Sequence, residues 1–164
     1  MASVKLHERR SQLPNRLGIA TASYEGDYHA WTVEQAAALR AGRLSELDVQ
    51  NLAEEIDDLG KAEFGKLSSS YRVILLHMLK WDHQPERRTR SWVGSIETHR
   101  IRLDIVLGDN PSLKGSQPEA IARGYREARV KAAAETGQDK GSFPKECPYS
   151  PDDIMNRAYE WPEH

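Results

Sequence analysis

Phe64, Leu67, Tyr71, Ile74, Met78 and Trp81 recur at intervals of three, four, three, four and three residues. An α-helix turns once in about 3.6 residues, so this spacing puts six large apolar side chains on one face. A strand cannot do this, because its side chains alternate with a period of two. A second stripe precedes the first: Val49, Leu52, Ile56 and Leu59 step by three, four and three. The join, from Leu59 to Phe64, is a step of five beside Gly60. That slip of phase predicts a bend or a break, and one bent helix or two straight ones both satisfy it.

More helices follow from the same pattern. Thr32 and Gln35 have capping-box spacing ahead of an Ala-rich run, and Gly42 follows as a stop. Asp48 is placed to cap the long stretch, and Gln84-Pro85 ends it, since the residue before a proline is pushed out of the helical region. Trp92, Ile96, His99, Leu103 and Val106 form another stripe, widened by Ile101 and Ile105, that stops at "GDNPS". "SQPE" reads as a capping box that opens a helix carrying Ile121, Tyr125, Ala128 and Ala132 on one face. Ala120, Gly124 and Ala128 give that helix a small-residue edge, suited to close approach by a neighbour or by a second copy. Gly137 ends it, a long loop follows, and "SPDD" caps a last short helix that stops before Trp161-Pro162. Leu and Ala outnumber Val and Ile, and no hairpin dipeptide separates alternating runs. The expected fold is therefore all-α: an antiparallel helical bundle with short flanking helices. Residues 1–23 lack any period and read as a mobile tail, and 24–162 as one domain, a common size for a chain of 164 residues.

Composition narrows the function classes. No apolar run is long enough to span a bilayer, and no apolar segment follows the N-terminal cations Lys5, Arg9, Arg10 and Arg16. A single cysteine, Cys147, leaves no internal disulfide and no multi-cysteine metal site. The expectation is a soluble cytoplasmic protein without a membrane association. A net charge of −2 gives no bulk attraction to nucleic acid, so such binding would need a local patch.

Four blocks carry a resemblance: "YHAWTVEQAAALRAGRLSELDVQNLAEEIDDLGKAE", "LLHMLKWDHQPERRTRSW", "HRIRLDIVLGDNPSLK" and "AAAETG" followed by "FPKECPYS". Together, over roughly residues 24 to 162, the chain resembles the bacterial family catalogued as domain of unknown function twenty-nine. The positions matching its motif are Trp31, Asn51, Leu52, Glu54, Glu55, His77, Lys80, Trp81, Gln84, Pro85, Arg88, Ser91 and Trp92. The resemblance implies a helical bundle and carries no accepted activity. This chain departs from the pattern at His83, where members often have an aromatic.

Charge is segregated. Residues 46 to 63 hold seven carboxylates and one cation, a net of −6, whereas residues 80 to 102 carry a net of +3. Asn51, Glu55 and Asp58 share a stripe beside Leu52, Ile56 and Leu59, so Glu55 is expected to be half-buried and to need a partner. If the acidic and basic helices are neighbours, Glu55 or Asp58 pairs with Lys80 or Arg88, and Glu55, Asp58, His77, Lys80 and Arg88 form one polar cluster. A metal would draw on Glu54, Glu55, His77 and His99, although the Glu-x-x-His pairs of carboxylate-bridged bundles are absent. Arg87 and Arg90, with Arg88 and Trp92 in "ERRTRSW", offer forked donors and an indole to a partner. Nucleic acid is disfavoured by the acidic segment and by Trp92 opening a core stripe. No Gly-rich phosphate loop, nucleophile elbow or cofactor signature appears; Ser68, Ser69 and Ser70 read as helix surface and Cys147 as part of a tethering loop. The favoured function is binding of another macromolecule, most simply a protein. An enzyme with a His/carboxylate metal site and a nucleic-acid binder stand as alternatives, and the oligomeric state stays open.

Overall fold

The computed structural model of the chain describes residues 22–160. The tail expected over residues 1–23 lies outside the described residues apart from Ala22 and Ser23, as do Trp161 and Pro162. The described residues form five α-helices and no strand. They are α1 (Tyr28–Arg40), α2 (Val49–His83), α3 (Arg90–Asp109), α4 (Gln117–Thr136) and α5 (Pro151–Asn156). Short 3-10 turns separate them at Leu44–Glu46, Pro85–Arg87, Pro111–Ser116 and Lys140–Ser142. Two compact units part between Ile56 and Asp57, within α2. No described helix is long and apolar enough to cross a membrane.

The first unit holds α1 and the first turns of α2. Asp27, not Thr32, caps α1: its carboxylate accepts the Ala30 N–H at 2.9 Å and starts the helix a turn early. The capping box expected of Thr32 and Gln35 does not form. The Thr32 hydroxyl donates back to the His29 carbonyl, and the Gln35 side-chain oxygen accepts from the Asp48 N–H. Gly42 ends the helix with a φ of +69°, a left-handed conformation that costs glycine little.

α2 runs unbroken through Gly60 for 35 residues, so the phase slip breaks nothing. The slip marks two stripes with different surroundings. From Leu67 on, the stripe Leu67, Tyr71, Ile74, Met78 and Trp81 is buried, as its spacing predicts. Before it, Val49, Ile56 and Leu59 are 65%, 66% and 69% exposed.

In the second unit α2, α3 and α4 pack around one core with Ile96, Leu103, Tyr125 and Ala128. Asn110, which caps the end of α3, donates to Glu63 and Trp92 of α3 lies under Lys80, so α2 and α3 run antiparallel. Tyr71 meets Gln117, and Lys80 meets Glu135 further along both helices, so α2 and α4, two chain reversals apart, run parallel. Gly124 lets them touch. A Cβ there would lie 2.8 Å from the Arg72 nitrogen and 2.9 Å from the Ser68 oxygen. The small-residue edge of α4 is thus used within the chain. Ser68, expected on the surface, is buried at this crossing, where its carbonyl faces Gly124; Ser70, also expected on the surface, is buried on the side of α2 that shares a hollow with His99 and Arg102 of α3, whereas Ser69 is exposed. Ile101 and Ile105 do not widen the core face but point to solvent. Ser116 makes no side-chain cap, because the 3-10 turn Pro111–Ser116 feeds directly into α4.

The loop after Gly137 is fastened to the helices. Phe143 is buried against the His83 ring, 4.6 Å between centroids, so the imidazole supplies a ring contact at the position where the motif favours an aromatic. Arg129 donates to the Phe143 and Lys140 carbonyls, and Tyr125 to that of Pro144. Ser150 and Asp153 form the expected capping box of α5. Buried Arg100 donates to the carbonyls of Asp153, Ile154 and Arg157, which ties α5 to α3.

Candidate functional site

The acidic segment is partly spent within its own unit. Glu55 is half-buried and accepts from two phenols, Tyr24 at 2.6 Å and Tyr28 at 2.7 Å. The hydrogen bond to Glu55 is the main reason the Tyr24 phenol is pushed up to about 12. Both rings pack on buried Trp31, with centroids 4.9 Å and 5.8 Å away, and the Trp31 indole N–H reaches Asp48. Tyr24, ahead of α1, and Tyr28 and Trp31, in its first turn, therefore hold the start of α2 through its carboxylates. Asp48 also accepts from the Asn51 backbone and side chain, as a cap of α2 should. Glu54 is exposed, and Asp58 pairs with Lys61 one turn along.

What is left on the first turns of α2 is an exposed face. Val49, Ala53, Ile56 and Gly60 step by four, three and four, and all are exposed. A Cβ on Gly60 would meet nothing within 4 Å. Asp57, next to Ala53 and Gly60 by helical spacing, borders this face on one side, and Glu55, next to Leu52 and Leu59, on the other.

The basic stretch finds partners other than those expected. Lys80 is buried and pairs with Glu135 of α4 at 2.6 Å, not with Glu55 or Asp58. Its ammonium also sits 4.6 Å over the Trp92 ring. Burial pushes the Glu135 carboxyl up, but the Lys80 hydrogen bond and charge outweigh it and hold the carboxyl below its ordinary value. Arg88 donates to the Trp81 carbonyl and stacks 4.7 Å over the Trp81 ring, so it closes the α2–α3 turn. Arg87 and Arg90 are exposed. The polar cluster of the second unit is thus Lys80, Glu135, Trp92 and His77, whose ring lies 6.4 Å from that of Trp92.

His77 is half-buried, and its Nδ1 is buried with no hydrogen-bond partner among the described residues. Burial, with help from the Lys80 charge, pushes its pKa down to about 4. It is neutral at pH 7 and too weak a base for efficient proton abstraction there. His99 shares an orphaned Nδ1 and a lowered pKa, again first from burial, while its Nε2 lies 3.2 Å from Arg102. Among the described residues no group of three or more His, Cys, Asp and Glu side chains gathers to hold a metal. Cys147 is half-buried, its thiol pushed up by burial and donating to the Tyr149 carbonyl. The chemistry of the cluster is electrostatic fastening.

Glu135 escaped the sequence reading because residues 80 and 135 are joined only by the parallel packing of α2 and α4. By itself Glu135 reads as a surface pair with Lys131, which it also approaches at 3.8 Å. The clasp of Asp82 with Arg157, at 2.6 Å, was hidden in the same way.

No curated protein and no solved structure matches the chain. The family described as Domain of unknown function DUF29 matches residues 23–160, most of the sequence and all but the first of the described residues. The chain belongs to the DUF29 family.

Proposed function

We propose that the chain is a protein-binding module that receives a cationic amphipathic helix on the N-terminal turns of α2. One observation carries this reading: Val49, Ile56 and Leu59 are each about two-thirds exposed on a regular helical face. Single exposed aliphatics are ordinary, but a continuous row of them on a helix otherwise packed into a core marks an interaction surface. Covering them would contribute about 1.5–3 kcal/mol for each side chain fully buried. The bordering carboxylates choose the partner. Asp57 has no basic partner among the described residues and Glu55 is held by two neutral phenols, so a helix with Leu or Ile on one face and Lys or Arg at its flanks complements the row in both respects. The hairpin cations are less suited to the task, since Lys80 and Arg88 are engaged internally. A cytoplasmic setting belongs to the same proposal and fits a chain whose single cysteine can form no internal disulfide.

Methyl NMR spectra tested with a designed Leu/Lys amphipathic helix check this. The expected result is shifts at the methyls of Val49, Ile56 and Leu59. Shifts confined to other methyls would place the surface elsewhere, and concentration-dependent shifts without peptide would assign the face to a second copy.

A further inference from the structure

Beside α4 lies a cavity of about 680 Å³, in the range of small-molecule sites. One wall is α4 and the other is the segment 145–151. Its apolar lining includes Pro118, Ile121 and Tyr125. Tyr149 also lines it, and neither phenol is available to a ligand, since Tyr125 donates to the Pro144 carbonyl and Tyr149 to Asp82. Three cations line the same space: Lys114, Arg126 and Lys145. Among the described residues none of them forms an ion pair, although the chain pairs Lys61, Lys66, Lys80, Arg100 and Arg157 elsewhere. The one carboxylate of the lining, Glu146, leaves a local excess of two positive charges.

We propose that this cavity binds a small organic carboxylate with an apolar body. The body fills the space against Ile121 and Tyr125, and the carboxylate meets Arg126 and Lys145 at the mouth. An apolar wall favours burial of hydrocarbon, while unpaired cations favour a negative head and disfavour a neutral one. Cys147 also lines the cavity, which gives the site its own reporter, because the chain has no other cysteine.

Octanoate is a suitable probe, with octanol as its uncharged counterpart and inorganic phosphate as a bare anion. Titration of the full chain, followed by calorimetry, is expected to show octanoate binding at least tenfold tighter than octanol or phosphate. Saturating octanoate is expected to slow alkylation of Cys147 severalfold. The double variant Arg126→Glu, Lys145→Glu changes only exposed side chains, so its melting temperature is expected to stay near that of the parent, and octanoate affinity to fall at least tenfold. No octanoate binding, equal binding by the double variant, equal binding of octanol, or equal binding of phosphate would each overturn the proposal. If the double variant proves unfolded, Arg126→Gln alone and the Cys147 protection assay on the parent chain decide instead: unchanged octanoate affinity in the first or unchanged alkylation in the second overturns it.

Discussion

The Lys80 ammonium meets the Glu135 carboxylate at 2.6 Å across 55 residues of sequence, with the Trp92 ring on its other side. Lys80 is buried and Glu135 is about one-third exposed, so either charge left alone would be poorly solvated. Lys80→Ala and Glu135→Ala are each expected to cost about 1–2 kcal/mol, and the double variant less than the sum. Urea unfolding of the four chains measures this, and strict additivity would contradict the pairing. By the same method Glu55→Ala and Arg88→Ala are expected to add within about 0.5 kcal/mol, because Glu55 serves two tyrosines and Arg88 serves Trp81.

Gly124→Ala tests how α4 meets α2. In an open helix the change would stabilise by about 1 kcal/mol. Here the new carbon would press on the backbone of Arg72 and Ser68, neither of which is a flexible side-chain end. Net destabilisation of about 1–3 kcal/mol is expected from denaturant midpoints. A stabilised variant would mean that the helices do not approach so closely.

How much of this was legible beforehand follows from the range of each interaction. The buried stripe of α2 from Leu67 to Trp81, the caps at Asp48 and Ser150, and the stops at Pro85 and Gly137 depend on residues a few positions apart, and each appears where the spacing places it. Thr32 and Gln35 had the right spacing too, but Asp27 nearby is the better-placed acceptor and Gln35 is drawn to Asp48. The polar pairing was not legible, because opposite net charge in two segments does not say which helices touch. The exposure of Val49, Ile56 and Leu59 was equally hidden, since a periodic face reads the same whether or not anything covers it.

Acid should loosen the second unit before its carboxylates titrate fully. His77 has a pKa of about 4 in the fold against an ordinary value of 6.5. Between these values the unfolded chain binds the proton and the folded chain does not, so stability falls as pH is lowered through this window and levels below it. His99 acts in the same direction. The groups around His77 are Lys80, Lys131, Glu135 and His99, and the two lysines add to the penalty on its cation. The melting temperature is therefore expected to drop from pH 6.5 to pH 4, and His77→Gln to make that drop shallower. An equal slope in parent and variant would show that His77 takes up its proton freely in the fold.

The central claim, that the first turns of α2 are a docking face, is tested most directly by one titration. A fluorescent Leu/Lys amphipathic helix is added to the parent chain and to Ile56→Asp, with anisotropy as the readout. Ile56 is two-thirds exposed, so the substitution is expected to change stability by no more than about 0.5 kcal/mol. The account predicts saturable binding to the parent that weakens with salt and falls at least tenfold in the variant, while a scrambled peptide of the same composition binds neither. Equal affinity for parent and variant, or no preference for the amphipathic order over the scrambled one, would contradict it.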